Sequence, residues 1–114
     1  MNIYLACALT YVPEQSCKEY FSLIMSIAAH LSASGHQVKF ALANSDPQLE
    51  SQAESCKAEL CYSWDREMVL WSDLVIAEAS FPSTGMGIEL QLAESNDIPI
   101  LMCFNPNDCH KAEP

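Results

Sequence analysis

The chain has 114 residues, half of them apolar, which is enough for one compact domain and too few for two. Its formal net charge is -10, from 15 acidic and 5 basic residues, and this field repels polymeric nucleic acid and anionic membranes. No basic region followed by an apolar run opens the sequence, and no stretch approaches the roughly 20 apolar residues of a membrane span. We therefore expect a soluble, cytoplasmic protein without a membrane partner.

The six cysteines predict neither disulfides nor a metal site. No Cys-x-x-Cys pair occurs, and the sequence lacks a secretion signal, so we expect reduced thiols. Cys103, Cys109 and His110 contain metal-binding groups, but their spacing matches no common zinc site. We therefore expect no metal at these residues.

The first half of the chain predicts a strand, a helix and a second strand. Ile3 to Ala8 is a continuous apolar run, which is typical of a strand covered on both faces. Gly35 ends a segment with apolar residues at helical spacing, namely Tyr20, Ile24, Ile27, Ala28 and Leu31. Gln37 to Leu42 then predicts a short strand.

The second half continues the alternation. Asp46 and Pro47 are typical of a helix start, and the pattern from Gln48 to Trp71 is mostly helical, with a predicted break near Cys61 to Ser63. The remaining predicted elements are a strand at Leu74 to Ala79, a helix from Gly85 or Met86 to Ser95, a strand at Pro99 to Phe104 and a surface tail at 105–114.

Strands that alternate with helices predict an α/β fold with a parallel sheet and right-handed crossovers. We expect about four strands in the order 2-1-3-4, helices on both faces, and a single domain over residues 1–114. Ligands bind such sheets beyond the carboxyl ends of the strands, where the strand order reverses. In that order, the segment after Ala8 faces the turn from Pro82 to Glu89.

That turn is the first candidate for a binding site. Ser83 and Thr84 offer hydroxyls, and the N–H groups around Gly85 and Gly87 suit a hydroxyl or a 5'-phosphate at a helix N-terminus. Gly-x-Gly is a weak pattern by itself, and an ordinary loop-to-helix turn explains it equally. Neither a Walker loop nor a full dinucleotide fingerprint is present.

Two carboxylates are candidates for chemistry. Glu89 follows the glycines within the first turn or so of the predicted helix, where the helix N-terminus favours its ionised form. Asp65 lies near the top of the sheet if its helix begins near Ser63. Such a pair suits a double displacement at a glycosidic bond, while solvated surface carboxylates are the alternative. Tyr4, inside the first strand, is either a packing residue or a hydrogen-bond donor to a carboxylate of the site.

Three segments carry a family resemblance: Ile3-Tyr4-Leu5-Ala6, then Tyr62-Ser63-Trp64-Asp65 before Asp73-Leu74-Val75-Ile76-Ala77-Glu78, and Pro82-Ser83-Thr84-Gly85-Met86-Gly87-Ile88-Glu89-Leu90. In this order they resemble the nucleoside 2-deoxyribosyltransferase family, and within it most closely the 2'-deoxynucleoside 5'-phosphate N-hydrolases. The resemblance implies a flavodoxin-like, three-layer fold and an enzyme that cleaves the N-glycosidic bond of a deoxynucleoside or its 5'-monophosphate.

The resemblance also implies roles for particular residues. Glu89 corresponds to the nucleophile that forms a deoxyribosyl-enzyme intermediate, Asp65 to the acid that helps the base leave, and Tyr4 to the tyrosine that orients the nucleophile. Ser83 and Gly85 match positions that meet the 5' end of the substrate. Trp64, Met68 and Trp71 form an apolar stripe at helical spacing. Together with this stripe, the resemblance predicts a homodimer, and it implies neither a metal nor an organic cofactor.

The segment after the first strand departs from the family pattern. Hydrolases of this branch have Gly-Ser-Ile-Arg there, whereas this chain has Cys7-Ala8-Leu9-Thr10. Ala8 and Thr10 are therefore candidate substrate contacts without a positive charge, and the need for a 5'-phosphate stays open. The alternative function is a nucleotide-binding or regulatory module that keeps the crevice and lacks efficient catalysis.

Overall fold

The structure is a computed structural model that describes residues 1–8, 12–41 and 54–106, with the backbone alone for 54–62. Its elements follow in the order β1 (Asn2–Ala6), α1 (Glu14–Ala33), β2 (Gln37–Lys39), α2 (Glu54–Trp71), β3 (Leu74–Glu78), α3 (Thr84–Ser95) and β4 (Ile100–Cys103). The predicted helix start at Asp46 and Pro47 and most of the predicted tail lie outside the described residues.

The four strands form one parallel sheet in the order β2-β1-β3-β4, which confirms the predicted α/β fold and strand order. Strand β1 pairs with β3 from Ile3 opposite Leu74 to Ala6 opposite Ala77. Helices α2 and α3 pack against each other and against the central strands, whereas α1 contacts β2. Right-handed crossovers put α1 on one face of the sheet and the other two helices on the opposite face.

The core lies on the two central strands. Tyr4, Leu5 and Val75 are almost completely buried, as expected for strands covered on both faces. Helix α1 contributes Tyr20, Ile24 and Ala28, which lie one turn apart along the helix and are all buried. Gly35 follows the end of α1 with a φ of 96°, a left-handed conformation that glycine adopts without strain.

Helix α2 corrects one prediction, because it runs without a break through Cys61 to Ser63. That segment contains no glycine or proline, the only residues with a large intrinsic penalty in a helix. Met68 on α2 is buried in the core and Trp64 packs against it, so this part of the predicted apolar stripe faces the protein interior. No helix of the described residues is long and apolar enough to cross a membrane.

The fourth strand forms one edge of the sheet. Leu101, Met102 and Phe104, in and just after β4, expose more than half of their surface. They expose apolar area along the edge strand on the side of the sheet opposite β2, with Leu101 and Met102 on opposite faces.

Candidate functional site

The carboxyl ends of β1 and β3 and the beginning of α3 lie close together, at the carboxyl end of the sheet. β1 ends at Ala6, β3 ends at Glu78, and the chain then turns into α3 at Thr84. Because β1 and β3 are neighbours while β2 and β4 lie outside them, the strand order reverses between these two strands. Open α/β sheets bind ligands at this position.

Tyr4 holds Glu89 at the carboxyl end of the sheet. The Tyr4 hydroxyl donates a hydrogen bond to Oε2 of Glu89, and both side chains are buried. Glu89 lies in the second turn of α3, and the first turn contains no acidic residue. The alternative of a solvated surface carboxylate is wrong for Glu89, which is 7 % exposed and belongs to the protein interior.

Burial determines the protonation of Glu89. Desolvation raises its pKa to about 7; the hydrogen bond from Tyr4 opposes this shift, and the negative charge of Asp65 adds to it. The expectation that the helix N-terminus keeps this carboxylate ionised is thus wrong for the free protein. Near neutral pH, Glu89 is divided between its protonated and ionised forms.

Asp65 lies in the same cleft as Glu89. Both line a cavity of about 180 Å³ together with Gly85, Ile88 and Leu92. Asp65 is half-buried, and burial raises its pKa above the usual value. The unbroken helix α2 still brings Asp65 to the cleft, because α2 and α3 pack side by side over the central strands.

The residues of the predicted glycine turn line two different surfaces. Ser83 caps α3, since its Oγ accepts the N–H of Met86 at 3.1 Å. Gly85 lines the cleft with Asp65 and Glu89, whereas Thr84 and Gly87 line a neighbouring groove. Ile88 and Leu92 contribute to both surfaces, and Gln91 and Ser95 complete the groove.

Neither glycine of the turn is required by the fold of the chain. A Cβ atom at Gly85 would meet only Ser83 Oγ at 3.9 Å, and one at Gly87 would meet nothing within 4 Å. Neither residue has a positive φ. A role for Gly85 must therefore come from space in the cleft and not from backbone strain.

Ala8, the described candidate after the first strand, does not line the cleft. Ala8 is completely buried, and its N–H donates to the Tyr20 hydroxyl at 2.8 Å, so this backbone donor already has a partner. Thr10 lies outside the described residues. The role of Ala8 as a substrate contact stays a prediction, and in the structure its N–H is bonded to the buried Tyr20.

Tyr20 and Glu78 were missed as site residues. The Tyr20 hydroxyl, reaching over from α1, accepts from Ala8 and lies 3.3 Å from the carbonyl oxygen of Glu78, to which it donates. Glu78 is 2 % exposed, and its Oε1 accepts the N–H of Ser80 at 2.7 Å. A charged residue that ends a buried apolar strand was the available signal for Glu78; nothing in the helical spacing of Tyr20 distinguished it from a core residue.

The thiols of Cys7 and Cys103, at the carboxyl end of the sheet, stay protonated. Burial, with the charges of Glu89 and Glu78, raises the pKa of Cys7 to about 12, and burial also raises that of Cys103. Among the described residues, no group of three His, Cys, Asp or Glu side chains is arranged to hold a metal ion. Cys109 and His110 lie outside the described range.

Comparison with known proteins identifies relatives for part of the chain. A protein of Methanosarcina barkeri named "Putative 2'-deoxynucleoside 5'-phosphate N-hydrolase 1" is 39% identical over 62 residues, which are 54% of this chain and 39% of the relative. Proteins with the same name from Methanosarcina mazei and Syntrophotalea carbinolica are 36% identical over 62 residues and 41% identical over 44 residues. The resemblance to the nucleoside 2-deoxyribosyltransferase family is confirmed.

The matched part of the chain spans less than two-fifths of the length of each of these relatives. No family model matches the sequence. A 2-deoxyribosyltransferase from Bacillus psychrosaccharolyticus has the same fold, with a TM-score of 0.69, 21% identity and coverage of 91% of this chain and 72% of that one. A conserved protein from Enterococcus faecalis aligns with a TM-score of 0.58 and 21% identity, over 89% of this chain and 61% of the other.

Proposed function

We propose that this protein is an enzyme that cleaves the N-glycosidic bond of a 2'-deoxynucleoside or its 5'-monophosphate through a covalent intermediate on Glu89. The observation that carries the proposal is a buried glutamate that shares one small cleft with Asp65 and accepts a hydrogen bond from Tyr4. The names of the relatives support the same class of reaction.

In the first step, an ionised Glu89 oxygen attacks the anomeric carbon as the bond to the base nitrogen breaks. The electron pair of that bond goes to the base, and Asp65 delivers a proton to it. Burial suits Asp65 to this role, because a raised pKa keeps a carboxylic acid protonated at higher pH. The product of this step is a glycosyl ester of Glu89 and a free base.

In the second step, water or another base attacks the same carbon, and the ester bond to Glu89 breaks. Asp65, now a carboxylate, takes the proton from the attacking group. Attack by water gives hydrolysis, whereas attack by a second base gives transfer. Both outcomes use the same residues, so the acceptor that reaches the intermediate decides between them.

Tyr4 is proposed to hold Glu89 for attack. Its hydroxyl donates to one oxygen of the carboxylate, which supports the ionised form against the desolvation that burial imposes. Burial and the charge of Glu89 raise the pKa of Tyr4 far above its usual range, so its hydroxyl keeps the proton that it donates. The hydrogen bond also fixes the rotamer of Glu89, which leaves its other oxygen as the attacking atom.

A non-catalytic nucleotide-binding module is the second candidate. The observation that favours it is the raised pKa of Glu89, because a carboxylate that is partly protonated near neutral pH is a weak nucleophile.

A single domain, a cytoplasmic location and a homodimer stay predictions for this protein. The exposed Leu101, Met102 and Phe104 offer apolar surface for such a dimer.

Chromatographic detection of free base tests the proposal. The protein is incubated with 2'-deoxynucleosides and their 5'-monophosphates, with and without an acceptor base, beside Glu89→Gln. We expect base release or exchange that falls by about a thousandfold or more in the variant, since the nucleophile is lost. Glu94→Gln, an exposed glutamate on the same helix, is the matched control and should keep full activity. Binding without base release from any substrate would favour the second candidate.

A further inference from the structure

A second cavity lies beside helix α1, on the opposite face of the sheet from the cleft of Asp65 and Glu89. Its volume is about 220 Å³, and none of the described residues lines both this cavity and the cleft. Four of its lining residues come from α1 at helical spacing, and one each follows β3 and β4: Ser16, Glu19, Tyr20, Leu23, Phe81 and Asn105. We call it the α1 cavity. The proposed reaction uses none of these residues.

Two aromatic rings form one corner of the α1 cavity. The Tyr20 and Phe81 rings meet at an angle of 81°, with their centroids 5.1 Å apart. The Tyr20 hydroxyl is already bonded to the Ala8 N–H and the Glu78 carbonyl oxygen, so Tyr20 offers the cavity its ring. Aromatic rings attract cations as well as apolar groups, because the faces of their π systems are negative. The corner therefore suits a ligand that has both an apolar body and a positive charge.

Two carboxylates act on the α1 cavity. Glu19 is exposed on its wall, and among the described residues its carboxylate has no hydrogen-bond or ion-pair partner. Glu78, which is 2 % exposed, accepts from the Tyr20 hydroxyl through its carbonyl oxygen and carries the second carboxylate. Burial raises the pKa of Tyr20, and the charge of Glu78 adds to that shift, so Glu78 acts electrostatically on this ring. A cation in the cavity is attracted by both carboxylates, whereas an anion is repelled.

We propose that the α1 cavity binds a small organic ammonium ion. The ammonium group lies against the Glu19 carboxylate, and the apolar body packs on the Tyr20 and Phe81 rings and on Leu23. The Ser16 hydroxyl is an acceptor for a second N–H of the ion. An apolar cavity of about 150 Å³ holds one benzene ring, so the α1 cavity has room for one ring with a short aminoalkyl group. This binding site is separate from the proposed active site and does not depend on the proposed reaction.

An NMR titration of the whole protein tests this site. Benzylamine, which is protonated at neutral pH, and benzyl alcohol, its neutral counterpart of similar shape, are each added to isotope-labelled protein. We expect benzylamine to give saturable shifts of the Glu19, Phe81 and Asn105 amides. Benzyl alcohol should bind at least about threefold more weakly, because it lacks the charge. The absence of saturable shifts, equal binding of the two probes, or shifts confined to Gly85 and Ile88 at the cleft would overturn the proposal.

Two charge variants separate the wall of the cavity from the net charge of the chain. Glu19→Gln removes the carboxylate, and Glu14→Gln removes an equal charge from an exposed residue of the same helix that does not line the cavity. We expect Glu19→Gln to weaken benzylamine binding by about threefold to tenfold and to leave benzyl alcohol binding unchanged. Glu14→Gln should change neither affinity by more than about 1.5-fold. An equal loss of benzylamine binding in the two variants would overturn the proposal.

A ring variant tests the aromatic corner. Phe81→Leu keeps an apolar side chain and removes the ring that meets Tyr20. We expect the ratio of benzylamine affinity to benzyl alcohol affinity to fall by about twofold or more, because only the cation is attracted by the face of the ring. An unchanged ratio would overturn the ring as a contact of the cation. Because Glu19 is exposed, Glu19→Gln leaves the fold intact and keeps the site testable if the Phe81 variant does not fold.

Discussion

Polar groups at the two ends of the sheet differ in their burial and in their partners. At the amino ends of the strands, Asn2 and Asp73 bind each other twice: the N–H of Asn2 donates to Oδ2 of Asp73 at 2.8 Å, and the N–H of Asp73 donates to the carbonyl oxygen of Asn2 at 2.7 Å. Lys39 covers the Trp71 ring at the same end. These groups are partly or largely exposed and have neutral or complementary partners.

At the carboxyl ends, acidic groups are buried together. Glu78 and Glu89 are both at least nine-tenths buried, and the partners described for their carboxylates are a backbone N–H and the Tyr4 hydroxyl. Burial of an acid without a neighbouring cation costs stability. Burial of acidic groups at the carboxyl ends of the strands does not serve stability, unlike the paired groups at the amino ends. We therefore infer that the carboxyl ends are less stable than they could be because they carry the reactive groups.

The largest expected effect is on catalysis. Asp65→Asn removes the proposed proton donor and should lower base release by about a hundredfold to ten-thousandfold. Activity should return for a substrate whose leaving group departs without protonation, because the donor is then not needed. Steady-state kinetics on both kinds of substrate measure this. The same change at the amino ends of the strands, Asp73→Asn, should leave the rate of base release unaltered. A lower rate for Asp73→Asn would contradict the assignment of the chemistry to the carboxyl ends alone.

The next effect is on stability and its dependence on pH. The pKa of Glu89 is about 7 in the folded chain against 4.5 as the ordinary value, so protonation favours the folded state. The contribution of Glu89 is greatest below about pH 4.5 and is lost as the pH rises through about 7. Glu89→Gln removes the titration and should gain about 3 kcal/mol over the wild type at pH 8, with little gain at pH 4.5.

Urea unfolding at the two pH values measures this difference. Glu94→Gln, at an exposed position of the same helix, should show no such gain on going from pH 4.5 to pH 8. A Glu89→Gln variant that is equally stabilised at both values would mean that shape and packing, and not charge, determine the cost of this side chain.

A smaller effect is expected where α1 reaches the site. Tyr20→Phe leaves the buried N–H of Ala8 without its described partner and removes the donor to the Glu78 carbonyl, which should cost about 1 to 3 kcal/mol of unfolding free energy. Ser34→Ala, at the C-cap of the same helix, deletes an exposed hydroxyl that donates to the His30 carbonyl oxygen at 3.1 Å, and its cost should stay within about 0.5 kcal/mol. Equal costs for the two would show that burial adds nothing to the Tyr20 contact.

The smallest effect separates the two glycines of α3. Alanine at Gly85 or Gly87 should stabilise the helix by up to about 1 kcal/mol, since neither position needs a positive φ or lacks space for Cβ. Gly85→Ala should nevertheless reduce activity more than Gly87→Ala, because only Gly85 lines the cleft with Asp65 and Glu89. Thermal unfolding and base release are measured on both variants. A greater loss of activity at Gly87 would move the substrate to the neighbouring groove.

The sheet order could be predicted from the sequence because its signals are local. Ile3 to Ala8 is an uninterrupted apolar run, and Leu74 to Ala79 is interrupted only by Glu78. Each run is followed by a helical pattern with its own start or stop residue. Where the local signal was weak, the prediction failed: Cys61 to Ser63 contains no strong helix breaker, and packing between α2 and α3 keeps the helix continuous.

The protonation of the site could not be predicted in the same way. Glu89 and Tyr4 are separated by 85 residues, and the sequence gives no measure of how deeply their contact is buried. Position near a helix start suggested an ionised carboxylate, but desolvation by burial has the larger effect on its pKa. Tyr20 likewise looked like any other apolar-face residue, because its role depends on where two distant strands end.

Tyr4 has a consequence for anyone who wishes to alter this molecule. It is among the largest fully buried side chains of the core and is also the donor to Glu89. Most proteins keep the packing residues and the reactive residues on separate positions, so that one set can vary while the other is preserved. Here one side chain serves both purposes, so a laboratory selection for new substrates has little freedom at the centre of β1 and must find its variation on α2 and α3.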